Sequence, residues 1–155
     1  MIAEVLMQTA AAAVGTVAFA VLYAVPAKFW AACGAAGGCG WFLYALLTEF
    51  GWCSATMAAF LATLTVVFLA RVSSVRLKCP ATVFITTGIF PLVPGVGVYW
   101  TAYYIVTNDL SHALESGFSA VKAAVAIVLG ITVMFEVPNR FFHPSTGSRT
   151  HSKWR

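Results

Sequence analysis

Pro91, Pro94, Gly95 and Gly97 stand close together in the middle of a stretch, Pro80 to Thr107, that contains no Asp, Glu, Lys or Arg. The stretch is long enough to cross a bilayer. Pro91 has no N–H to offer Thr87, and Pro94 has none to offer Phe90. A helix built on this stretch must therefore open near its middle. Lipid cannot satisfy free peptide groups, so an opened helix needs protein or a water-filled cavity around it. In transporters such openings hold the substrate. The chemistry on offer is recognition by main-chain groups. A second half-helix starting near Gly95 presents free N–H groups and a positive dipole end, which suit a carboxylate. The carbonyls of Thr87 and Phe90, freed by the prolines, suit an ammonium or a water. An amino-acid zwitterion uses both. Thr87, Phe90, Pro91, Pro94, Gly95, Val96, Gly97 and Tyr99 are the candidate binding residues on this stretch. A kink that only shapes the bundle is the competing reading.

Lys122 is the one candidate elsewhere. It lies roughly 9 Å into the last apolar run at 1.5 Å per residue. Such a side chain either snorkels to the interface or serves as counter-charge for an anionic substrate near the outer exit.

No enzyme constellation is present. The five carboxylates, Glu4, Glu49, Asp109, Glu115 and Glu136, all fall at or near the ends of apolar runs. There is no HExxH, P-loop or Gly-x-Ser-x-Gly pattern. Gly95-Val96-Gly97 lacks the third glycine and the preceding strand of a dinucleotide loop. The cysteines, Cys33, Cys39, Cys53 and Cys79, have no Cys-x-x-Cys spacing and read as small packed residues. We expect no metal, no cofactor and no catalytic activity.

The elements that must position these residues are membrane helices. The 155 residues are 61% hydrophobic and 9% charged, against about 25% charged in a soluble domain. A span needs about 20 residues, so the expected fold is an all-α integral membrane protein of five transmembrane helices. They are placed at about 3–25, 29–47, 53–70, 81–106 and 116–137, the fourth broken at Pro91–Gly97. Residues 1–138 form the membrane domain. Residues 139–155 read as a basic, disordered cytoplasmic tail that can touch anionic head groups. Met1 to Thr9 has Glu4 and no Lys or Arg, which reads as a span rather than a leader.

Pro26 ends span one. Span two opens with a run of Ala, Gly and Cys in which Gly34 and Gly38 form a GxxxG pair. Small residues let helices approach closely in lipid, so this helix is expected to be the most enclosed. Trp41 and Tyr44 fit an interfacial belt. Thr56, Thr63 and Thr65 in span three can bond back to their own helix. Arg71 to Lys78 reads as a short basic loop, and His112 and Glu115 as part of another.

Basic residues mark the cytoplasmic side. Lys28, then Arg71, Arg76 and Lys78, then Arg140, Arg149, Lys153 and Arg155 all fall on one side of a five-span arrangement. Glu49, Asp109 and Glu115 fall on the other. The N-terminus is thereby placed outside and the C-terminus inside. The net charge of +4 gathers on no helix face, which excludes a nucleic-acid partner.

Several of these residues together resemble a known family. They are Val25-Pro26 with Lys28, Gly37-Gly38-Cys39-Gly40-Trp41 leading to Tyr44, Lys78-x-Pro80-Ala81-Thr82-Val83-Phe84, and Ile89-Phe90-Pro91-Leu92-Val93-Pro94-Gly95 with Tyr99. The chain resembles the threonine/serine exporter family from about Gly15 to Gly130. It is more closely similar to the small split-subunit form, which corresponds to the C-terminal membrane half of the one-chain exporters. The resemblance implies proton-driven export of small hydroxy amino acids across a bacterial inner membrane. It also implies a larger partner subunit and hence a hetero-oligomer, with a homo-oligomer also open. Some split pairs are assigned to dicarboxylate export of the succinate type. A non-transporting scaffold subunit is a third reading. Which way the Pro91–Gly97 break points separates transport from scaffold.

Overall fold

The computed structural model describes residues 2–138. The expected basic tail, 139–155, lies outside the described residues. Six α-helices follow one another: α1 (Ile2–Leu22), α2 (Trp30–Glu49), α3 (Ala55–Leu77), α4 (Ala81–Ile89), α5 (Gly95–Val106) and α6 (Leu110–Glu136). Short 3-10 turns cover Ala27–Phe29 and Phe90–Leu92. Four of the helices, α1, α2 with its leading turn, α3 and α6, are long and apolar enough to cross a membrane. The pair α4–α5 passes the same test jointly and is bent by 49° at the break. The fold is thus an all-α membrane protein, with five spans when the bent pair counts as one.

Two helices are longer than the apolar runs that announce them. α3 continues through Arg71 and Arg76 to Leu77 and stops where Lys78 turns left-handed at φ 50°, two residues before Pro80. Nothing between Ala70 and Leu77 breaks a helix, so Arg71 to Leu77 is helical and not a loop. Buried Arg71 donates from its guanidinium to the Met134 carbonyl near the end of α6. A cation there complements the negative end of a helix. α6 starts six residues before the expected Ser116. Asp109 caps it, accepting the His112 N–H at 3.3 Å and meeting the His112 ring Nδ1 at 2.7 Å. These contacts hold the Asp109 carboxyl below the usual carboxylate range. His112 and Glu115 therefore ride on the first turns of α6.

Helix α2 sits among α1, α3 and α4, while α6 packs on α3 and carries α5 on its other side. The glycines explain how α2 serves several neighbours. Gly34 and Gly38 meet α1 at Ala13 and Val17, Gly37 meets Thr16, and Gly40 meets Val66 of α3. On α4, Gly88 lies against Val66 and Ala36. With no side chains between them, backbones approach and dispersion contacts accumulate. α3 is as enclosed as α2, with eight buried residues each, because its Ala58, Ala59, Ala62 and Ala70 act as the glycines do. One core cluster gathers Phe29, Cys33, Val67, Phe84 and Ile85; a second gathers Ala62, Val66, Leu92 and Ile127. The second cluster forms the floor of the break.

Candidate functional site

At the break the chain satisfies some of its peptide groups and leaves others open. The Val93 N–H donates to the Phe90 carbonyl at 3.2 Å, closing a 3-10 turn around Pro91. The Phe90 carbonyl is therefore engaged, not freed as its lost Pro94 partner suggests. The Gly95 N–H turns back onto the Val93 carbonyl at 2.7 Å, and Val98 donates to the Pro94 carbonyl at 3.1 Å. Between these donors, the N–H groups of Val96 and Gly97 have no backbone acceptor among the described residues. They are the positive end of α5.

Val96 and Gly97 line a cavity of about 270 Å³. Its wall is the break itself, Pro91 to Gly97, with Trp41 and Tyr44 from α2, Ala55, Thr56 and Ala59 from α3, and Ser119, Ala120 and Ala123 from α6. Among the described residues, no charged side chain lines it. The first turn of α3, capped by Ser54, also contributes to the wall. Two helix N-termini thus meet one cavity, and both favour negative charge. Gly97 brings α5 close to α6: a Cβ there would stand 3.1 Å from that of Ala120.

Of the residues singled out from sequence, Pro91, Pro94, Gly95, Val96 and Gly97 come together on this cavity. The others do not. Thr87 is buried away from it, its hydroxyl bonded to the Val83 carbonyl at 3.0 Å. The Phe90 ring packs on Phe19 of α1. Tyr99 is 64% exposed and stands edge-on to Trp100. Lys122 points outward, its Nζ 5.1 Å from the Phe118 ring centre one turn nearer the helix start. With α6 beginning at Leu110, Lys122 lies deeper along its helix than a start at Ser116 implies. It borders a second, apolar groove between α3 and α6, with Met57, Phe60 and Val125.

Trp41, Tyr44, Thr56 and Ser119 are the cavity residues that sequence reasoning missed. Trp41 has the composition of an interfacial-belt residue, yet it stands eight residues from the end of α2, roughly 12 Å by helical rise. That depth is the signal for an inward role. Its indole Nε1 is buried without a hydrogen-bond partner, and its ring lies 5.4 Å from that of Tyr44. Thr63 and Thr65 bond back to Ala59 and Leu61 as expected. Thr56 does not, because it sits in the first turn of α3 and has no helical carbonyl four residues behind it.

A family model described as Threonine/Serine exporter, ThrE, matches residues 8–137. A protein named "Probable threonine/serine exporter" from Mycobacterium tuberculosis (strain ATCC 25618 / H37Rv) is 34% identical over 79 residues. The match covers 48% of this chain and 15% of that protein. The chain thus aligns to a small part of this much longer relative. No solved structure matches the chain.

Proposed function

We propose that this chain, which belongs to the threonine/serine exporter family, is the smaller membrane subunit of a secondary exporter of small amino acids. The cavity at the break is its substrate site. The observation that carries this is the pair of unpaired N–H groups, Val96 and Gly97, at a helix N-terminus on a cavity without charged side chains. A substrate carboxylate accepts from both, and charge-assisted bonds of this kind are the strong ones. Pro91 and Pro94 keep the groups available; Gly95 and Gly97 leave room to reach them.

The larger partner subunit is part of this proposal, and the exposure of the break supports a covering partner. α5 has no buried residue and packs on α6. Val93 and Val96 beside the break are 50% and 72% exposed. An opened helix facing lipid is not tolerated, so another membrane chain covers this side. The assembly lies in a bacterial inner membrane, with the N-terminus outside, the C-terminus in the cytoplasm and the proton gradient as drive. Two five-span halves of opposite orientation would make an inverted repeat.

A dicarboxylate of the succinate type is the second reading. The absence of any carboxylate from the cavity wall favours it, since a substrate ammonium finds no ion partner there among the described residues. Export of labelled threonine, serine and succinate, from cells with and without the chain and its partner, tests both. Threonine or serine export that depends on the chain supports the first reading. Dependence of succinate export alone supports the second. Independence of all three leaves a scaffold subunit.

A further inference from the structure

The groove between α3 and α6 has a volume of about 450 Å³ and lies over buried Ala126. Met57, Val125 and Leu129 along it are each 52% exposed, so it is open to the surroundings. On α6 the groove is formed by Lys122, Val125 and Leu129, and the cavity at the break by Ser119, Ala120 and Ala123. At about 100° per residue these two sets lie on different faces of the helix. The polar groups of the groove gather at one end. Lys122 lies twelve residues into α6, yet it shares the groove with Thr56 and Met57, the second and third residues of α3. Lys122 is therefore level with the end of a span. Trp52, in the loop just before α3, is 68% exposed, as in an interfacial aromatic belt. Among the described residues, no carboxylate pairs with Lys122. From Lys122 the groove runs past Val125 to Leu129 with no further polar side chain, roughly 10 Å by helical rise toward the middle of the membrane.

We infer that this groove binds an anionic phospholipid, with the phosphate on Lys122 and one acyl chain along Phe60, Val125 and Leu129. A cation at the interface end and an apolar trough running inward from it reproduce the order of head group and chain within one leaflet. A charged side chain at the edge of the membrane is stabilised by a partner of opposite sign, and a Lys near the surface attracts anionic lipid. The Thr56 hydroxyl, at the same end, is a donor for a second phosphate oxygen. An anionic head group is preferred to a zwitterionic one, because the zwitterion's own ammonium competes with Lys122 for the phosphate. The inference does not depend on what the cavity at the break carries.

The test uses the full chain, with any subunit that accompanies it, purified from native-host membranes in a neutral detergent. Native mass spectrometry follows the binding of added phosphatidylglycerol and phosphatidylcholine with identical acyl chains. Phosphatidylglycerol should bind about fivefold more tightly. Lys122→Gln should abolish that margin and leave phosphatidylcholine binding unchanged, while Lys122→Arg should keep it. Val125→Trp should weaken both lipids by filling the trough. Equal binding of the two lipids by the wild-type chain overturns the inference, and so does a margin that survives Lys122→Gln. If Lys122→Gln is not recovered from the membrane, Val125→Trp decides, and unchanged phosphatidylglycerol binding there overturns the inference equally. Threonine and succinate are added as competitors. Displacement of phosphatidylglycerol by either would put a substrate carboxylate on Lys122 and overturn the lipid assignment.

Discussion

Gly37 of α2 lies directly on Thr16 of α1, so that a Cβ on the glycine would collide with the threonine hydroxyl and stand 2.9 Å from its Cβ. Thr16 is fully buried, and its hydroxyl donates to the Ala12 carbonyl at 2.8 Å. The threonine cannot swing aside without breaking that bond. Gly37→Ala should therefore destabilise the protein by about 1–3 kcal/mol, the usual cost of overpacking. Thr16→Ala should relieve it, with a coupling of about 0.5–3 kcal/mol for residues in contact. Thermal unfolding of both single variants and the double variant in detergent measures the coupling. Additive losses would show that the two helices do not meet here.

The second contact to test positions the site. Gly97 faces the Ala120 Cβ at a projected 3.1 Å and the Ser116 carbonyl at 3.7 Å. A branched side chain at Gly97 must push the start of α5 away from α6. Gly97→Val should lower the unfolding temperature and also reduce transport, because the Val96 and Gly97 N–H groups move with the helix end. A variant with wild-type stability and transport would remove α5–α6 packing from the account of the site.

The break was legible because proline and glycine act locally. Pro91 and Pro94 remove specific donors whatever the surroundings, and α5 begins at Gly95 as the spacing implies. The bundle was legible because apolar length and small-residue content are sums over many positions. What sequence did not reveal depends on geometry a few residues away. α3 outlasts its apolar run because hydropathy and helicity are different properties, and Arg71 can remain helical by bonding a carbonyl of α6. The Phe90 carbonyl lost one donor to Pro94 and gained another through a 3-10 turn. Trp41 has the composition of a belt residue and the depth of a cavity residue, and composition alone does not give depth. Thr56 differs from Thr63 only in standing in the first turn of its helix.

Membrane orientation is the third prediction. Glu49 closes α2 and Arg76 lies in the last turn of α3, both exposed. One membrane crossing, α3, separates them. With Cys33, Cys39, Cys53 and Cys79 replaced, Glu49→Cys should react with an impermeant maleimide on intact cells. Arg76→Cys should react only after the membrane is opened, on the rule that basic segments stay on the cytoplasmic side. Labelling of both from the same side would end the five-span arrangement. Labelling of Arg76→Cys alone on intact cells would invert it.

The last prediction separates a binding site from a kink. The turn at Phe90–Leu92 and the 49° bend persist because Pro91 and Pro94 cannot donate to a continuous helix. Each proline disfavours a straight helix by about 3 kcal/mol relative to alanine. In Pro91→Ala/Pro94→Ala the segment should straighten, and the Val96 and Gly97 N–H groups should pair with the carbonyls of Leu92 and Val93. The donors assigned to the substrate are then closed. The double variant remains apolar and long enough to insert, so its membrane abundance should match wild type while transport is lost. Gly95→Val approaches the same donors from the outside. Nothing lies within 4 Å of a Cβ at Gly95, and its φ is not positive, so valine there should leave the fold unchanged and cover the approach to the N–H groups. Losing hydrogen bonds to a charged oxygen, worth about 1.5–3 kcal/mol each, should cut transport by at least an order of magnitude. Circular dichroism and quantitative immunoblotting establish folding and abundance, and vesicle transport gives the rate. Wild-type rates in both variants at equal abundance would reduce the break to a bend that shapes the bundle.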